Sequence, residues 1–309
     1  MSALNPVWRM GLLILGVLVV SSVVVAVLSR AQPQKNFSEL AARVKAWWIM
    51  AAVFFGAITV SGRLSLLFFG FLSFWALKEY LTLLKTRPAD HRALVWAFLS
   101  VPIQYVWVAM KWYGMFVVFI PVYMFLFLPV RLVLARETAG FVAAASQIQW
   151  GLMAFVFGLS HLAMLLTLPA IPNSGANGRT LLLFLVFVVE MSDVLQFVWG
   201  KTLGRHKILP TVSPNKTWEG FLGGIATTSL ASLVVGFLTP FTALQTIGVA
   251  LLLAISGFAG GAVMSAVKRD FGVKDFGGLI PGHGGMLDRV DSLCYAGPVF
   301  FHLVRYFYY

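Results

Sequence analysis

Ten apolar runs, most of them close to twenty residues long, divide this sequence and limit what it can fold into. They fall at about 8–28, 47–62, 64–84, 93–111, 114–135, 147–168, 180–200, 218–238, 241–266 and 292–309. At about 1.5 Å of rise per residue, a helical run of that length crosses the ~30 Å hydrocarbon core of a bilayer. A water-soluble core cannot absorb so many, because 60% of the 309 residues are hydrophobic and only 11% are charged. Lipid is therefore the expected solvent. The fold class expected is all-α, a polytopic integral membrane protein with nine to ten transmembrane helices. The count stays at nine to ten because 47–62 is short for a span and 64–84 carries Lys78 and Glu79 near its end. The first run lacks a small-residue cleavage site followed by a polar mature domain, so it is expected to be a retained helix.

With ten spans, alternate connections lie on the same side. One set holds Arg30, Lys35, Arg43, Lys45, Lys85, Arg87, Arg92, Arg131, Arg136, Lys201, Arg205, Lys207, Lys216, Lys268, Arg269, Lys274 and Arg289, which is 17 of the 23 basic residues. The other set and the termini hold Arg9, Arg63, Lys111, Arg179 and Arg305, and Lys78 lies inside a run. The positive-inside bias places the first set in the cytoplasm and both termini outside. That bias, with anionic lipids or phosphates, explains the formal charge of +12 better than nucleic acid does, so no nucleic-acid partner is expected. Trp47 and Trp48, at the start of a run, read as an interfacial anchor rather than a ligand platform. The single cysteine, Cys294, excludes an intramolecular disulfide and reads as a packed small hydrophobe.

No internal repeat or low-complexity segment is present. The chain divides into residues 1–178, N-terminal transmembrane helices, and 179–309, a C-terminal transmembrane region with cytoplasmic loops 201–217 and 267–291. Seven of the eleven acidic residues (Glu190, Asp193, Glu219, Asp270, Asp275, Asp288 and Asp291) fall within 190–291, and function is expected there.

Glu190 and Asp193 are spaced i, i+3 inside an apolar run and share one helix face. A carboxylate at membrane depth costs about 2.5–3.5 kcal/mol on insertion scales and faces a wet cavity or a partner. Either a site or a structural pair fits. Ser213, Pro214, Asn215, Lys216 and Thr217 precede the next run, where unpaired helix N–H groups suit a phosphate, although an ordinary cap with Glu219 nearby fits as well. The glycines of a Walker A loop are missing. The stretch 265–291 reads SAVKRDFGVKDFGGLIPGHGGMLDRVD. It combines Lys268, Arg269, Lys274 and Arg289 with Asp270, Asp275, Asp288 and Asp291, and glycines 277, 278, 282, 284 and 285 allow close backbone approach. That mixture suits a phosphate-bearing substrate carried by Mg²⁺, and no His/Glu pattern suggests zinc.

At these residues the chain resembles the phosphatidate cytidylyltransferases, or CDP-diacylglycerol synthases, most closely the shorter bacterial CDP-diglyceride synthase-like branch. The signature of Ser, Lys-Arg, Lys-Asp, His-Gly-Gly and Asp-Arg-x-Asp is matched by Ser265, Lys268, Arg269, Lys274, Asp275, His283, Gly284, Gly285, Asp288, Arg289 and Asp291. An upstream element is matched by Asp193, Gly200, Lys201, Ser213, Pro214, Lys216, Thr217, Glu219 and Gly220. The resemblance covers 185–309. It implies reaction of CTP with phosphatidate to give CDP-diacylglycerol and pyrophosphate, by an enzyme of the inner (plasma) membrane with its site facing the cytoplasm. It implies catalytic roles for Asp288, Lys268, Arg269 and Asp291. Substrate binding would fall to Ser213, Asn215, Lys216, Thr217, Ser265, Lys274, His283, Gly284, Gly285 and Arg289. Mg²⁺ would be held by Asp288 with Asp193 and Asp275, and a second cation is left open.

One position departs from that pattern. The helix before the signature Ser carries Gly-Asp in the family, whereas Gly260 and Gly261 stand here. A catalytically weakened or silent lipid- or nucleotide-binding paralogue is therefore the second reading. A transporter is the third, prompted by Glu190 and Asp193, and it is disfavoured because the charges gather in loops at one face. Gly257, Gly261 and Ser265 form a small-residue stripe, and Gly220 with Gly223 a second close-packing element. Both suit packing within a chain or between two copies, as in a homodimer.

Overall fold

A computed structural model of the chain describes residues 5–32, 34, 37–280 and 284–309. Lys35, Gly282 and His283 therefore lie outside the described residues. Among the described residues, nine helices are long and apolar enough to cross a membrane. They are α1 (Pro6–Ala31), α2 (Ser38–Thr59), α3 (Gly62–Leu83), α4 (Pro88–Ala109), α5 (Tyr113–Val133), α6 (Phe141–Leu166), α7 (Gly178–Thr202), α8 (Trp218–Leu238) and α9 (Ala243–Asp270). Two further helices close the chain, α10 (Leu287–Val290) and α11 (Leu293–Tyr308). Asp291 and Ser292 between them keep right-handed helical dihedrals (φ −56°, ψ −46° and φ −67°, ψ −35°), so α10 and α11 form one helical path. The protein is a polytopic all-α membrane protein.

The departures from the expected pattern are local. α2 starts nine residues before the apolar run at Trp47, because a helix continues through Arg43 and Lys45 where hydropathy has already fallen. The expected loop 201–217 contains a short antiparallel hairpin, β1 (Lys207–Leu209) and β2 (Ser213–Thr217), with Lys207 opposite Thr217 and Leu209 opposite Ser213. Two long helices contain π-helical stretches, at Phe119–Met124 in α5 and Leu152–Gly158 in α6. The first includes Pro121, which has no N–H to give to the ladder.

The core runs through the whole described chain. α6 is its centre: every residue from Leu159 to Leu165 is buried, as expected for a helix surrounded by others. α3 and α11 pack on α6, and α7 packs on α6, α8, α9 and α11. Buried side chains from both sides of residue 178 belong to one cluster, from Val7 and Met10 to Phe301 and Val304. Cys294 is buried within it as a free thiol. Trp48 donates its indole N–H to Ser22 Oγ at 3.0 Å, tying α2 to α1.

Alternate connections meet at common ends of the bundle, as the charge pattern requires. At one end Arg87 pairs with Asp90 (2.6 Å) and lies 3.9 Å from Glu137, and the rings of Tyr80 and Phe271 are 5.9 Å apart. At the other, Arg9 stacks over Phe237 (4.2 Å), Arg305 stacks over Tyr113 (3.7 Å), and the Tyr309 hydroxyl donates to the Pro169 carbonyl. The small-residue stripes are used inside the chain. A Cβ at Gly257 would meet Ser292 and Val189 at 3.5 Å, and Gly220 and Gly223 face Gly200 and Trp199 of α7.

Candidate active site

Asp288, at the start of α10, is the hub of the basic end. Its Oδ1 accepts from Lys268 Nζ at 2.8 Å, while Oδ2 accepts the backbone N–H of Phe276 (2.9 Å) and of Gly285 (3.0 Å). The pair is shielded from solvent, with the Asp288 side chain 3% and the Lys268 side chain 16% exposed, so its attraction is screened far less than at a surface. The turn before Asp288 depends on Gly284, whose φ of +79° is left-handed; a Cβ there would also stand 2.9 Å from Asp288 Oδ2. The glycine-rich loop is thus folded onto one carboxylate, which also orients the lysine at the end of α9.

A second cluster lies along the facing surfaces of α7, α9 and the α10–α11 path. Ser292 Oγ is 2.8 Å from Asp193 Oδ2 and 3.3 Å from Asp291 Oδ1, and Asp291 Oδ1 also accepts the Ser292 N–H at 2.7 Å. Two carboxylates from distant segments therefore meet over one hydroxyl. Asp193 is exposed on its helix, Asp291 half-buried and Ser292 buried, so the cluster runs from the surface inward. Lys216 reaches in from β2: its Nζ is 3.4 Å from the Phe258 carbonyl and 4.2 Å from the Phe258 ring centre. Burial pulls the Lys216 ammonium below its ordinary range, and the charges of Asp193 and Asp291 act against that shift. A Cβ at Gly261 would stand 3.2 Å from Lys216 Nζ and 3.6 Å from Ser292 Oγ. Gly261 therefore lies directly against this lysine and this serine, with the two carboxylates beyond. Glu190, one turn before Asp193, has Arg289 and Asp291 as further charged neighbours, and Arg289 Nε is buried without a hydrogen-bond partner.

The hairpin is built to present Lys216. Thr217 Oγ1 accepts the Gly220 N–H at 3.1 Å and caps α8. Glu219 accepts the N–H groups of Arg205 (3.0 Å) and His206 (3.2 Å) and pairs with His206 Nδ1 at 2.5 Å. Thr217 and Glu219 thus serve the backbone, which is the ordinary-cap arrangement, while Lys216 just before them points toward Gly261. Ser213 and Asn215 lie on the hairpin rim, Asn215 exposed. Arg269 Nε donates to the Val212 carbonyl at 3.2 Å, fastening the hairpin to α9. Ser265 Oγ donates to the Gly261 carbonyl of its own helix at 2.7 Å. Lys274 and Asp275 are exposed on the loop, with Asp275 packed beside Gly284.

Among the described residues, no three His, Cys, Asp or Glu side chains come together as a ready metal cage. Mg²⁺ does not need one, since it is commonly held by one or two carboxylates together with substrate phosphates and water. Asp193 and Asp291, sharing Ser292 beside Gly261, fit that requirement. Asp288 already accepts from Lys268 and two amides, and reaches a cation only by sharing or releasing those partners.

A run of cations beside hard carboxylates at one end of a helical bundle is the arrangement that known proteins then specify. The model of the Cytidylyltransferase family matches residues 41–307. The chain belongs to the cytidylyltransferase family. A relative from Escherichia coli (strain K12), Uncharacterized protein YnbB, is 43% identical over 275 residues, covering 89% of this chain and 90% of the relative. Phosphatidate cytidylyltransferase of Staphylococcus aureus (strain COL) is 40% identical over 126 residues, and that of Staphylococcus haemolyticus is 39% identical over 126. Each of those matches covers 40% of this chain and 48% of the relative, so the chain spans about half the length of these enzymes.

The structure brings together Asp193, Lys216, Gly261, Lys268, Asp288 and Asp291, and leaves Lys274, Asp275 and Asn215 exposed at the rim. It also adds residues that sequence reasoning passed over. Ser292 joins the two carboxylates, Phe258 seats Lys216, and Glu79, from the N-terminal segment, holds the glycine-rich loop. Glu79 carried a usable signal: a carboxylate inside an apolar run needs a partner by the same argument applied to Glu190 and Asp193.

Proposed function

We propose that this family member transfers a cytidylyl group from CTP to phosphatidate, giving CDP-diacylglycerol and pyrophosphate for phospholipid biosynthesis. The observation that carries the reading is the convergence of Lys216 and Lys268 with Asp193, Asp288 and Asp291, drawn from four separate segments, at one end of a membrane bundle. In the transfer, a phosphate oxygen of phosphatidate attacks the α-phosphorus of CTP, and the bond from that phosphorus to the α–β bridging oxygen breaks. The electron pair leaves with pyrophosphate. Both reactants are anionic, so the first task is to hold two phosphates in contact. Lys216 beside Gly261 and Lys268 beside Asp288 bind and orient phosphate oxygens, with Arg289 adjacent and Arg269 and Lys274 at the outer rim. Asp288 keeps Lys268 extended toward the substrate, and Gly284 and Gly285 let the loop approach it closely. His283, in the same loop, is proposed as a substrate donor on the resemblance alone. Ser213, Asn215 and Ser265 are proposed to contact the nucleotide from the hairpin and α9. Asp193 and Asp291 would hold Mg²⁺, which supplies neutralisation of triphosphate charge when bound, and Asp275, packed beside Gly284 close to Asp288, would be a supporting carboxylate on the loop. Membrane helices beside the site let the diacylglycerol tail stay in lipid while its phosphate enters.

The test is conversion of labelled CTP in phosphatidate-containing detergent micelles by the purified protein. Mg²⁺-dependent formation of CDP-diacylglycerol and pyrophosphate is expected; no product across a wide Mg²⁺ range overturns the reading. A second reading, nucleotide or lipid binding without turnover, is favoured by one observation, the absent carboxylate at Gly261. Its mark is saturable CTP binding by a protein that forms no product.

A further inference from the structure

Glu79 lies near the end of α3, 207 residues before Met286, yet it is 8% exposed and makes two of its three hydrogen bonds at the candidate site. Its Oε1 accepts the Met286 N–H at 3.0 Å and the Trp75 indole N–H at 3.1 Å, and its Oε2 accepts the Leu287 N–H at 2.8 Å. Met286 and Leu287 begin the α10–α11 path, where N–H groups lack partners within the helix and the helix dipole favours a negative charge. No Lys or Arg is paired with Glu79 among the described ion pairs; Lys78, next to it, stacks instead over Trp75 at 4.4 Å. The loop is shaped around this carboxylate: a Cβ at Gly285 would stand 2.5 Å from Glu79 Oε2. Gly285 in turn gives its N–H to Asp288. One chain of contacts thus runs from Glu79, through the amides of residues 285–287, to Asp288 and Lys268.

We infer that Glu79 is a positioning residue, which anchors the glycine-rich loop to the N-terminal helices and so sets the Asp288–Lys268 pair against the reacting phosphates. This inference rests on the transfer reaction proposed above. Glu79 touches no substrate, and its effect falls on the placement of the groups that do.

The experiment compares the full-length parent with Glu79→Gln, and with Gly285→Ala, which disturbs the same contact from the loop side without changing charge. Steady-state turnover, thermal midpoint and amide hydrogen exchange are measured on each. Loss of groups that orient site residues commonly costs 10–100-fold. Glu79→Gln is expected to lower kcat by about that factor, with KM for phosphatidate within twofold and the thermal midpoint within a few degrees of the parent. Exchange at Met286 and Leu287 is expected to quicken at least about tenfold as their acceptor weakens. Gly285→Ala should reproduce the kcat loss. A kcat within twofold of an active parent, or unchanged exchange at 286 and 287, overturns the inference. A kcat loss matched by an equal loss of folded protein in both variants overturns it also, because the role is then only structural. A parent that forms no product overturns the reaction reading and, with it, the positioning role, while exchange still reports separately whether Glu79 holds the loop.

Discussion

Asp288 accepts one ammonium and two backbone amides, so its substitution acts on both charge and loop. Asp288→Asn removes the charge that balances Lys268 in a shielded setting, and breaking one side of such a pair typically costs about 3–5 kcal/mol. We expect a fall of at least about 100-fold in kcat/KM, equivalent to roughly 2.7 kcal/mol of transition-state stabilisation, with a lowered thermal midpoint; parallel activity and unfolding assays check both. Lys268→Met in the Asp288→Asn background should recover stability but not activity, which separates the structural pair from the phosphate-binding lysine. At Gly261 the geometry makes a different prediction. An aspartate there would place its carboxylate against Lys216, 3.2 Å from the Cβ, and beside Asp193 and Asp291. Gly261→Asp should lower the Mg²⁺ concentration for half-maximal activity by adding a hard ligand, raise KM for CTP by neutralising Lys216, and leave kcat within about threefold. A rise of 100-fold or more from a near-zero baseline would instead favour the silent-paralogue reading. The charged members of this site were legible because they are clustered in sequence. Ser292 was not, because a lone serine leaves no pairing pattern in the chain, and Glu79 signalled only that a carboxylate in an apolar run needs a partner, since partners that are backbone amides have no sequence signature.

Two elements bring the site together, the hairpin and the glycine-rich loop ahead of α10. The hairpin is a minimal sheet, and two strands alone are marginal in water; Glu219 compensates by accepting the Arg205 and His206 amides and pairing with His206. Glu219→Ala removes these acceptors at a solvent-facing position, where water can replace part of what is lost. The expected result is a several-fold rise in KM for CTP, with kcat nearly unchanged and only a small thermal shift, read from steady-state kinetics. A fall in kcat without any change in KM would show that Lys216 is placed by something other than the hairpin. The helices themselves were readable from hydropathy, and their ends were less so. α2 runs on through Arg43 and Lys45 because helical hydrogen bonding does not stop where apolarity does. The hairpin escaped notice because three- and five-residue strands are too short to show a period against a charged background. The last helix was placed correctly from 292 onward, while its first turn, α10, is fixed by contacts with Asp288 and Glu79 that sequence does not display.

At the scale of the whole molecule, the distribution of basic residues and the packing of the two ends agree. The connections that hold 17 of the 23 basic residues include those brought together by Arg87, Glu137, Tyr80, Phe271 and Glu79. Arg9 and Arg305 stack on aromatic rings in the end-capping contacts assigned to the opposite face. The bias of Lys and Arg toward cytoplasmic loops then predicts that the candidate site faces the cytoplasm, where CTP is available and pyrophosphate can leave. The chain is well suited to a direct measurement, because its one cysteine is buried. In a Cys294→Ser background, single cysteines at Lys207 and Arg179, both exposed positions on opposite connections, report the two faces without touching the carboxylate cluster. A membrane-impermeant maleimide should label Lys207→Cys only in inside-out vesicles and Arg179→Cys only in right-side-out ones. Labelling of Lys207→Cys from the outside would invert the topology and place the site away from its nucleotide. Labelling of both from one side would mean that an even number of crossings separates 179 from 207, and would contradict the single crossing of α7 through the bundle. The expected pattern fixes the orientation of α7 and with it the side on which Asp193, near its far end, meets Ser292 and Asp291.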